Sequence, residues 1–343
     1  MGNYALSAQG RDQLKGFSQK IHKQVGVGAG EQFAVTPAQV QKLFEKAVED
    51  GVPFLGKINA NVAVTEKVGE KIGLFVSGLV AGRTDTSGSA ERTARSLHSL
   101  EKFGYSLKQT NADVALKYSI IDQWKHVAGG KFAELYASAI RMAIANDRLR
   151  IGWYGTSAAA TTDPVANPLG QDVNIGWFQK IRNEAPVQIS DDEITIGVDG
   201  NYANLDAVVR EMKDSIDPVF RNDPRLRVFI GSNLISLAEN KFYAAGGDKP
   251  SEKRHLDGGR LLDTYGGLQA ETPPFFPENA IMITFYSNLS IYRQEGTWRR
   301  TIIDNPKKDQ IEDFNSFSED YIVEDYRAIA VETNVVAYVP PAV

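Results

Sequence analysis

The feature that most constrains this chain is a pair of strand-forming runs joined by a long polar insertion. Residues 72–80 (IGLFVSGLV) and 103–118 (FGYSLKQTNADVALKY) are rich in strand formers, and about 20 residues rich in Gly, Ser, Thr and charge lie between them. This pattern predicts a long hairpin with an extended polar tip. Loops longer than about 12–15 residues without structure of their own are usually functional or disordered, so tip residues 82–102 need a purpose.

The second arm of this hairpin changes the face that its apolar side chains occupy. Phe103, Tyr105 and Leu107 stand at odd-numbered positions, whereas Val114, Leu116 and Tyr118 stand at even-numbered ones. Because successive side chains of a strand point to opposite faces, a bulge or a strong twist is predicted near Gln109 to Asn111.

A long helical region follows the hairpin. Ser119 with Asp122 resembles a capping box, and apolar residues then recur at helical spacing. They are Ile121, Trp124, Ala128, Phe132, Leu135, Ala139, Met142 and Leu149. Gly129-Gly130 is expected to kink or divide the region, which leaves residues 131–150 as a helix of roughly 30 Å, long enough to act as a strut. Such a stripe is more typical of a core than of a cofactor site.

The second half of the chain alternates helical and strand-like patterns. A short helix is predicted at 177–186, ended by Pro186, and a helix at Leu205 to Ile216 is followed by a buried strand at 226–231 and a helix that starts at Ser232. This alternation indicates an α/β layer. Three strand-like runs then predict an antiparallel meander, at 281–286, 288–294 and 297–303.

The amino-terminal residues read as a separate, detachable segment. Leu6, Leu14, Phe17, Ile21 and Val25 fit one helix face, and residues 1–33 carry a net charge of +2 although the whole chain carries −5. Glycines at 26, 28 and 30 then make a pliant joint. A well-punctuated helix follows, with a Thr36 cap, Pro37 at its first position and Gly51 at its end.

An acidic stretch lies near the carboxyl end. Residues 301–327 contain eight acidic residues against Lys307, Lys308 and Arg327, a net of −5. This surface would attract a basic partner, and the alternative is an ordinary solvated acidic face.

Several kinds of chemistry are disfavoured by the composition. The absence of cysteine excludes disulfides, thiolate metal sites and cysteine nucleophiles, and the four histidines lie in separate segments without paired spacing. The glycines at 26–30 match a dinucleotide-binding loop poorly. Residues 51–57 (GVPFLGK) match a phosphate-binding loop poorly, because Ile58 replaces the Ser/Thr that would hold Mg²⁺. We therefore predict no catalytic, cofactor-binding or metal-binding residues.

The net charge and the distribution of apolar residues also limit the possible partners and location. A net charge of −5 gives no global attraction to phosphate or anionic lipid, so sequence-reading DNA binding is disfavoured. The amino terminus lacks the apolar core of a secretory signal, and no run of about 18 apolar residues occurs. We expect a soluble protein of a cytoplasm, without membrane contact.

Five stretches carry a resemblance to one protein family. They are VGEKIG (68–73), TDTSGSAER (84–92), NPLGQDVNIGWFQKIRNEAP (167–186), NLSIYRQ (288–294) and NPKKDQIEDFNSFSEDYIVEDY (305–326). In these stretches, and in their order, the chain resembles the major capsid proteins of P2-like tailed bacteriophages (Caudoviricetes).

The resemblance implies an α+β fold of the tailed-phage (Hong Kong 97) capsid type. Its expected parts are an assembly segment or propeptide (1–33), an N-arm (34–65), an extended loop (66–119), a peripheral domain with a spine helix (120–196), an axial domain (197–300) and a return to the peripheral domain (301–343). It also implies self-assembly into hexamers and pentamers of an icosahedral head shell, a virion location, and assembly in the cytoplasm of the bacterial host. The implied partners are other copies of the chain, a scaffolding protein and capsid protease, a portal, and packaged double-stranded DNA bound non-specifically.

Residue roles follow from the same resemblance. A phage protease is expected to cut near Phe33-Ala34, and spine residues Arg141, Arg148 and Arg150 are candidates for weak, sequence-independent DNA contact. Contacts between subunits are expected to pair basic residues of the loop tip with carboxylates of the acidic stretch. These residues are Arg83, Arg92 and Arg95 on the tip, and Asp309, Glu312, Asp313, Glu319 and Asp320 on the stretch.

Two other functions remain as alternatives at this point. One is an α/β enzyme that uses the layer at 197–300, which would require a pocket with convergent ionisable groups. The other is a scaffolding or interaction module that forms no shell, which a chain that stays monomeric would favour.

Overall fold

The computed structural model of this chain describes residues 33–34, 52–70, 81, 83–87, 91–92, 104–120, 132–197, 199–237 and 264–338. Several predicted features lie outside these residues. They are the amino-terminal amphipathic segment, the glycine joint, the helix that begins at Thr36, the first hairpin arm, most of the tip including Arg95, and Gly129-Gly130.

The described part contains helices and strands in mixed order, as an α+β fold requires. The α-helices with both ends described are α1 (Phe132–Tyr154), α2 (Trp177–Glu184) and α3 (Leu205–Ser215), and 3₁₀ turns occur at Pro186–Gln188, Tyr286–Asn288 and Tyr326–Ala328. Helical residues also occur at 118–120 and at 232–237, where the sequence predicts a helix starting at Ser232. The strands of the first half are β1 (Phe33–Ala34), β2 (Asn59–Val64), β3 (Val68–Glu70), β4 (Gly104–Ser106), β5 (Lys108–Asn111), β6 (Val114–Lys117), β7 (Ile189–Ser190) and β8 (Ile194–Ile196). Those of the second half are β9 (Arg227–Ile230), β10 (Thr264–Tyr265), β11 (Leu268–Glu271), β12 (Ile281–Thr284), β13 (Leu289–Gln294), β14 (Arg299–Asn305), β15 (Gln310–Val323), β16 (Ala330–Glu332) and β17 (Val335–Ala337).

Strand β15 is the centre of a seven-stranded sheet. Its 14 residues pair with β5 and β6 on one edge, and with β14 and β13 on the other. β13 and β14 therefore lie end to end along one edge of β15, and β2 and β1 pair with their outer sides. All strands of this sheet depend on β15 directly or through one neighbour.

The predicted meander is wrong for a topological reason. β12 belongs to a second, six-stranded sheet of order β10-β11-β9-β12-β16-β7, whereas β13 and β14 belong to the first sheet. The chain crosses between the sheets at the 3₁₀ turn of Tyr286–Asn288. There the buried Asn288 amide donates to Thr284 Oγ1 and to the Asp325 carbonyl, each at 2.9 Å. Local strand propensity predicted the three strands but not the strands with which each of them pairs.

The first predicted hairpin arm, 72–80, lies outside the described residues, and most of the second arm pairs with β15 rather than with a hairpin partner. β3 pairs antiparallel with β4, and the parity of the buried side chains changes between Leu107 and Lys108 rather than at Gln109 to Asn111. There the chain leaves β3 and joins β15. The register of β5 and β6 against β15 is continuous, so the switch results from a change of partner and not from an inserted residue.

Helix α1 confirms the predicted strut but not all of its core face. Its 23 residues span about 34 Å, and Tyr136, Ile140 and Ile144 pack on Ile311 and Phe317 of β15. Ala139 and Met142, predicted as part of the core stripe, lie on the exposed side. The apolar residues of α1 therefore extend beyond the side of the helix that packs on the sheet.

The carboxyl end of α1 and the start of α2 form the most crowded part of the core. The Trp153 and Trp177 ring centroids lie 4.7 Å apart, and Trp177 Nε1 donates to the Ser290 carbonyl at 3.1 Å. Gly152 lies directly under Trp177, because a Cβ placed on it would be 2.3 Å from the Trp177 ring. The α1–α2 contact therefore requires a residue without a side chain at position 152.

Gly152→Ala is expected to lower the free energy of unfolding of the unassembled subunit by about 1–3 kcal/mol, because the buried Trp177 ring has no space into which to move. Urea unfolding followed by tryptophan fluorescence measures the change. Gly56→Ala is the matched control, since its Cβ would meet nothing closer than 3.5 Å, and it is expected to stay within about 0.5 kcal/mol. Equal losses in both variants would contradict the packing described.

Candidate subunit interface

Three carboxylates of β15 are buried and paired within the chain. Asp313 accepts from Arg300 of β14 at 2.6 and 3.0 Å, Glu319 accepts from Arg148 of α1 at 3.0 Å, and Asp320 accepts from Lys180 of α2 at 3.1 Å. At most 2% of each carboxylate side chain is exposed. The three ion pairs therefore tie three different elements to one strand.

This burial corrects part of the predicted interface. Asp313, Glu319 and Asp320 were expected to accept arginines from a neighbouring subunit, but each already has a cation of its own chain and no access to solvent. The sequence contained a signal for this, because Asp313 shares its strand parity with Ile311 and Phe317. The acidic stretch is therefore neither one open acidic surface nor one solvated face.

Asp320 also fixes the base of the hairpin. Its Oδ2 accepts the Ser106 backbone N–H at 2.9 Å, and Oδ1 accepts the Tyr321 N–H at 2.9 Å. Burial raises the pKa of this carboxyl above its ordinary value, against the opposing effect of Lys180 and the two N–H donors. Because desolvation outweighs pairing, the group sets the position of the hairpin more than it adds to stability.

The remaining predicted interface residues lie on the surface. Asp309 is exposed in the turn between β14 and β15 with a φ of 51°, and Glu312 accepts from Gln310 and Asn305 at 2.7 and 3.1 Å. These bonds, Gln310 first, lower the pKa of Glu312, so it is anionic at neutral pH. On the tip, Arg83 and Arg92 are exposed. The structure thus leaves the Asp309 carboxylate and two guanidinium groups accessible to a neighbour, whereas the Glu312 side chain is 16% exposed and lies 3.8 Å from Lys308 of its own chain.

The comparisons with known proteins agree with one another. The model of the family "Phage major capsid protein, P2 family" matches residues 13–335. The capsid protein of Escherichia phage P2 is 33% identical over 93% of this chain and 92% of its own length. The major capsid protein of Serratia phage KSP20 is 33% identical over 87% of each.

Solved structures give the same answer. A chain of the satellite phage P4 procapsid, solved with a size determination (Sid) protein, has a TM-score of 0.75 at 33% identity, over 95% of this chain and 98% of that one. A chain of the cyanophage A-1(L) capsid has a TM-score of 0.52 at 12% identity, over 83% of this chain and 93% of that one, which supports the fold alone.

The chain belongs to the P2 family of phage major capsid proteins. Its fold is therefore the expected Hong Kong 97-type capsid fold, and its function is that of a structural subunit of a phage capsid. The alternatives of an α/β enzyme and of a non-shell scaffolding module find no support in these matches.

The predicted processing junction of this capsid protein has a defined backbone position. Phe33 and Ala34 form β1, which pairs antiparallel with Arg300 and Arg299 of β14. A protease needs an extended segment that it can bind by its own backbone contacts. Cleavage at this bond would therefore require β1 to leave the sheet edge.

The arginines expected to line the DNA differ in accessibility. Arg148 is 4% exposed and paired with Glu319, so it does not face a shell interior. Arg150 binds Asp147 at 3.1 Å and lies 4.5 Å from the centre of the Phe275 ring, while Arg141 is half-buried near Arg300. The DNA role is thereby corrected for Arg148 and stays a prediction for Arg141 and Arg150.

Sequence reasoning missed the cations that hold the β15 carboxylates. No local pattern marks Lys180 or Arg300 as buried, because each meets its partner only after the sheet forms.

Within the described residues, no group of three or more metal-ligating side chains occurs, and no helix there is long and apolar enough to cross a membrane.

Arg148→Met is expected to destabilise the unassembled capsid protein by about 3–5 kcal/mol, because it leaves the Glu319 carboxylate buried without its cation. The matched control on the same helix is Arg150→Met, whose ion pair with Asp147 is exposed and is worth about 1 kcal/mol or less. Urea unfolding compares the two. A loss at position 148 no larger than that at position 150 would show that the buried pair does not hold α1 to β15.

Proposed function

We propose that this chain assembles into hexamers and pentamers that close an icosahedral head shell around phage DNA, and that it performs no catalysis. The observation that carries the proposal is the match to the satellite phage P4 procapsid chain over 95% of this chain, with a TM-score of 0.75. Identical chains joined by heterologous contacts close into rings, and such rings tile a closed surface. A subunit of this kind should bury on the order of 2,000 Å² or more against its neighbours.

The proposed domain division starts from the expected one and changes it in two places. It assigns 1–33 to the assembly segment, 34–65 to the N-arm, 66–119 to the extended loop, 120–196 to the peripheral domain with α1 as spine, 197–300 to the axial domain and 301–343 to the return. The pairing of β13 with β15 favours placing residues 289–300 with the peripheral domain. Ala330 and Val335 pack with Val228 and Ile283, which favours a contribution of the return to the axial core.

The extended loop is proposed to reach over a neighbouring subunit. At its base β3 pairs with β4, and Asp320 holds that base to the body. Arg83, Arg92 and Arg95 would then approach Asp309 and Glu312 of the next copy. Exposed Ile303 and Phe314, which lie on the same outer face of β14 and β15, would add apolar contact.

Processing and partners complete the proposal. A capsid protease would remove the segment before Ala34, after a scaffolding protein and a portal have guided assembly in the cytoplasm of the bacterial host. Packaged double-stranded DNA would contact the shell only weakly and non-specifically, because the net charge of −5 gives the chain no general attraction to phosphate. The proposal requires no cofactor.

Negative-stain microscopy of the purified chain across a concentration series tests this function. The chain expressed alone, and together with a scaffold and protease of its phage class, is expected to form closed shells or rings of uniform size. Monomers alone, at every concentration and with both partners supplied, would refute shell assembly.

A charge reversal tests the loop contact separately. Arg92→Glu is expected to lower the yield of shells several-fold, because an exposed ion pair worth about 0.2–1 kcal/mol is lost in every subunit of the shell. Asp309→Arg in the same chain is expected to restore the yield, and Asp309→Arg alone should lower it. Sedimentation measures the yield. A double variant no better than either single variant would exclude this pairing.

A further inference from the structure

Helix α1 carries an apolar face that the rest of the described chain does not cover. Met142 is 49% exposed, and Ser138, Ala139 and Ala143 are exposed beside it on consecutive turns. Helices α2 and α3 instead confine their apolar residues to the buried side. The exposed uncharged patch covers residues 138–143, since Asp147 and Arg150 lie on the exposed side of the following turns.

The chemistry of this face excludes one occupant and favours another. Its four side chains carry no charge, so they do not themselves attract phosphate, and the DNA contact predicted for Arg141 and Arg150 would lie beside this patch. Alanine and serine allow a second helix to approach closely, and the flexible Met142 side chain fills the groove that such a helix leaves. The occupant that fits is an amphipathic helix with large apolar side chains at helical spacing.

The chain itself contains such a segment. In residues 4–25, Leu14, Phe17, Ile21 and Val25 fit one helix face, and the basic residues lie elsewhere. As a helix, these 22 residues would span about 33 Å, which is more than long enough to cover the exposed patch at 138–143.

The position of β1 brings this segment within reach. β1 pairs Phe33 with Arg300 of β14. The Arg300 side chain binds Asp313 and lies close enough to Tyr136 and Arg141 of α1 to affect them electrostatically. Seven residues separate Val25 from Phe33 and span up to about 25 Å when extended, which is more than the 10–12 Å or so of a helix diameter.

We propose that residues 4–25 dock as an amphipathic helix on the exposed face of α1 of the same chain, with Leu14, Phe17 and Ile21 against Ala139, Met142 and Ala143. The contact lies within one subunit, so it does not depend on shell assembly. Removal of the segment before Ala34 uncovers the face of α1, and the processed subunit then presents an apolar helix surface that the precursor hides.

Disulfide trapping tests the contact, because the chain has no cysteine of its own. Three double variants combine Met142→Cys with Leu14→Cys, Phe17→Cys or Ile21→Cys. Matched controls combine Met142→Cys with Asp12→Cys or Gln19→Cys, which lie on the opposite side of the segment. After mild oxidation, at least one test pair is expected to give about tenfold more monomeric disulfide than the controls, since Cα atoms must lie within about 7 Å.

Two results would overturn the proposal. One is monomeric disulfide no greater in any test pair than in the controls, and the other is disulfide that joins two copies of the chain instead. Near-ultraviolet circular dichroism confirms folding of each variant. The readout is a monomer band on a non-reducing gel, so it is independent of whether shells form.

A second measurement does not depend on helix register. In the full chain with Met142→Cys alone, the added change Phe17→Glu is expected to raise the rate of thiol alkylation about tenfold, because a charged side chain cannot stay in the apolar contact. Gln19→Glu is the control and should leave the rate unchanged. An equal rate with and without Phe17→Glu would exclude docking through this face.

Discussion

The row of buried carboxylates on β15 is the constraint on which the rest of this subunit depends. Asp313, Glu319 and Asp320 each take a cation from a different element, so one strand positions β14, α1 and α2 together. Isolated buried charges are costly, and each pair is retained only where both partners are in place. The arrangement therefore specifies how the layers fit, more than it contributes net stability. The same pairing makes these three carboxylates unavailable to a neighbouring subunit.

The hairpin illustrates how the same row prepares the subunit for assembly. Asp320 accepts the Ser106 N–H at the point where the chain leaves β3 and turns to join β15. Beyond this point the loop, as proposed, depends on a neighbouring copy for its contacts. The body is therefore held by interactions within one chain, whereas the reach of the loop and the tip arginines are, as proposed, left for neighbouring copies.

Sequence patterns identified elements better than neighbours. The periodicity that predicted α3 and the length of α1 is local, and both helices are confirmed. The meander failed because the 14-residue strand β15, which directly follows β14, is long enough to pair with both β13 and β14 and keeps them end to end. Net charge over 301–327 likewise suggested an open acidic surface, since composition does not show that Asp313 faces inward with Ile311. The functional conclusion came from the family resemblance, because similarity along the whole chain reflects pairings that local patterns do not show.

Amide hydrogen exchange of the unassembled subunit and of assembled shells tests the central claim most directly. The account predicts that β15 amides exchange slowly in both states, because their protection comes from the chain itself. Amides of the loop tip, at Arg83 and Arg92, are predicted to become strongly protected only in shells, where a neighbour covers the loop. Exchange of β15 amides at loop-like rates in the unassembled subunit would contradict the account, since neighbours rather than contacts within the chain would then hold the fold together.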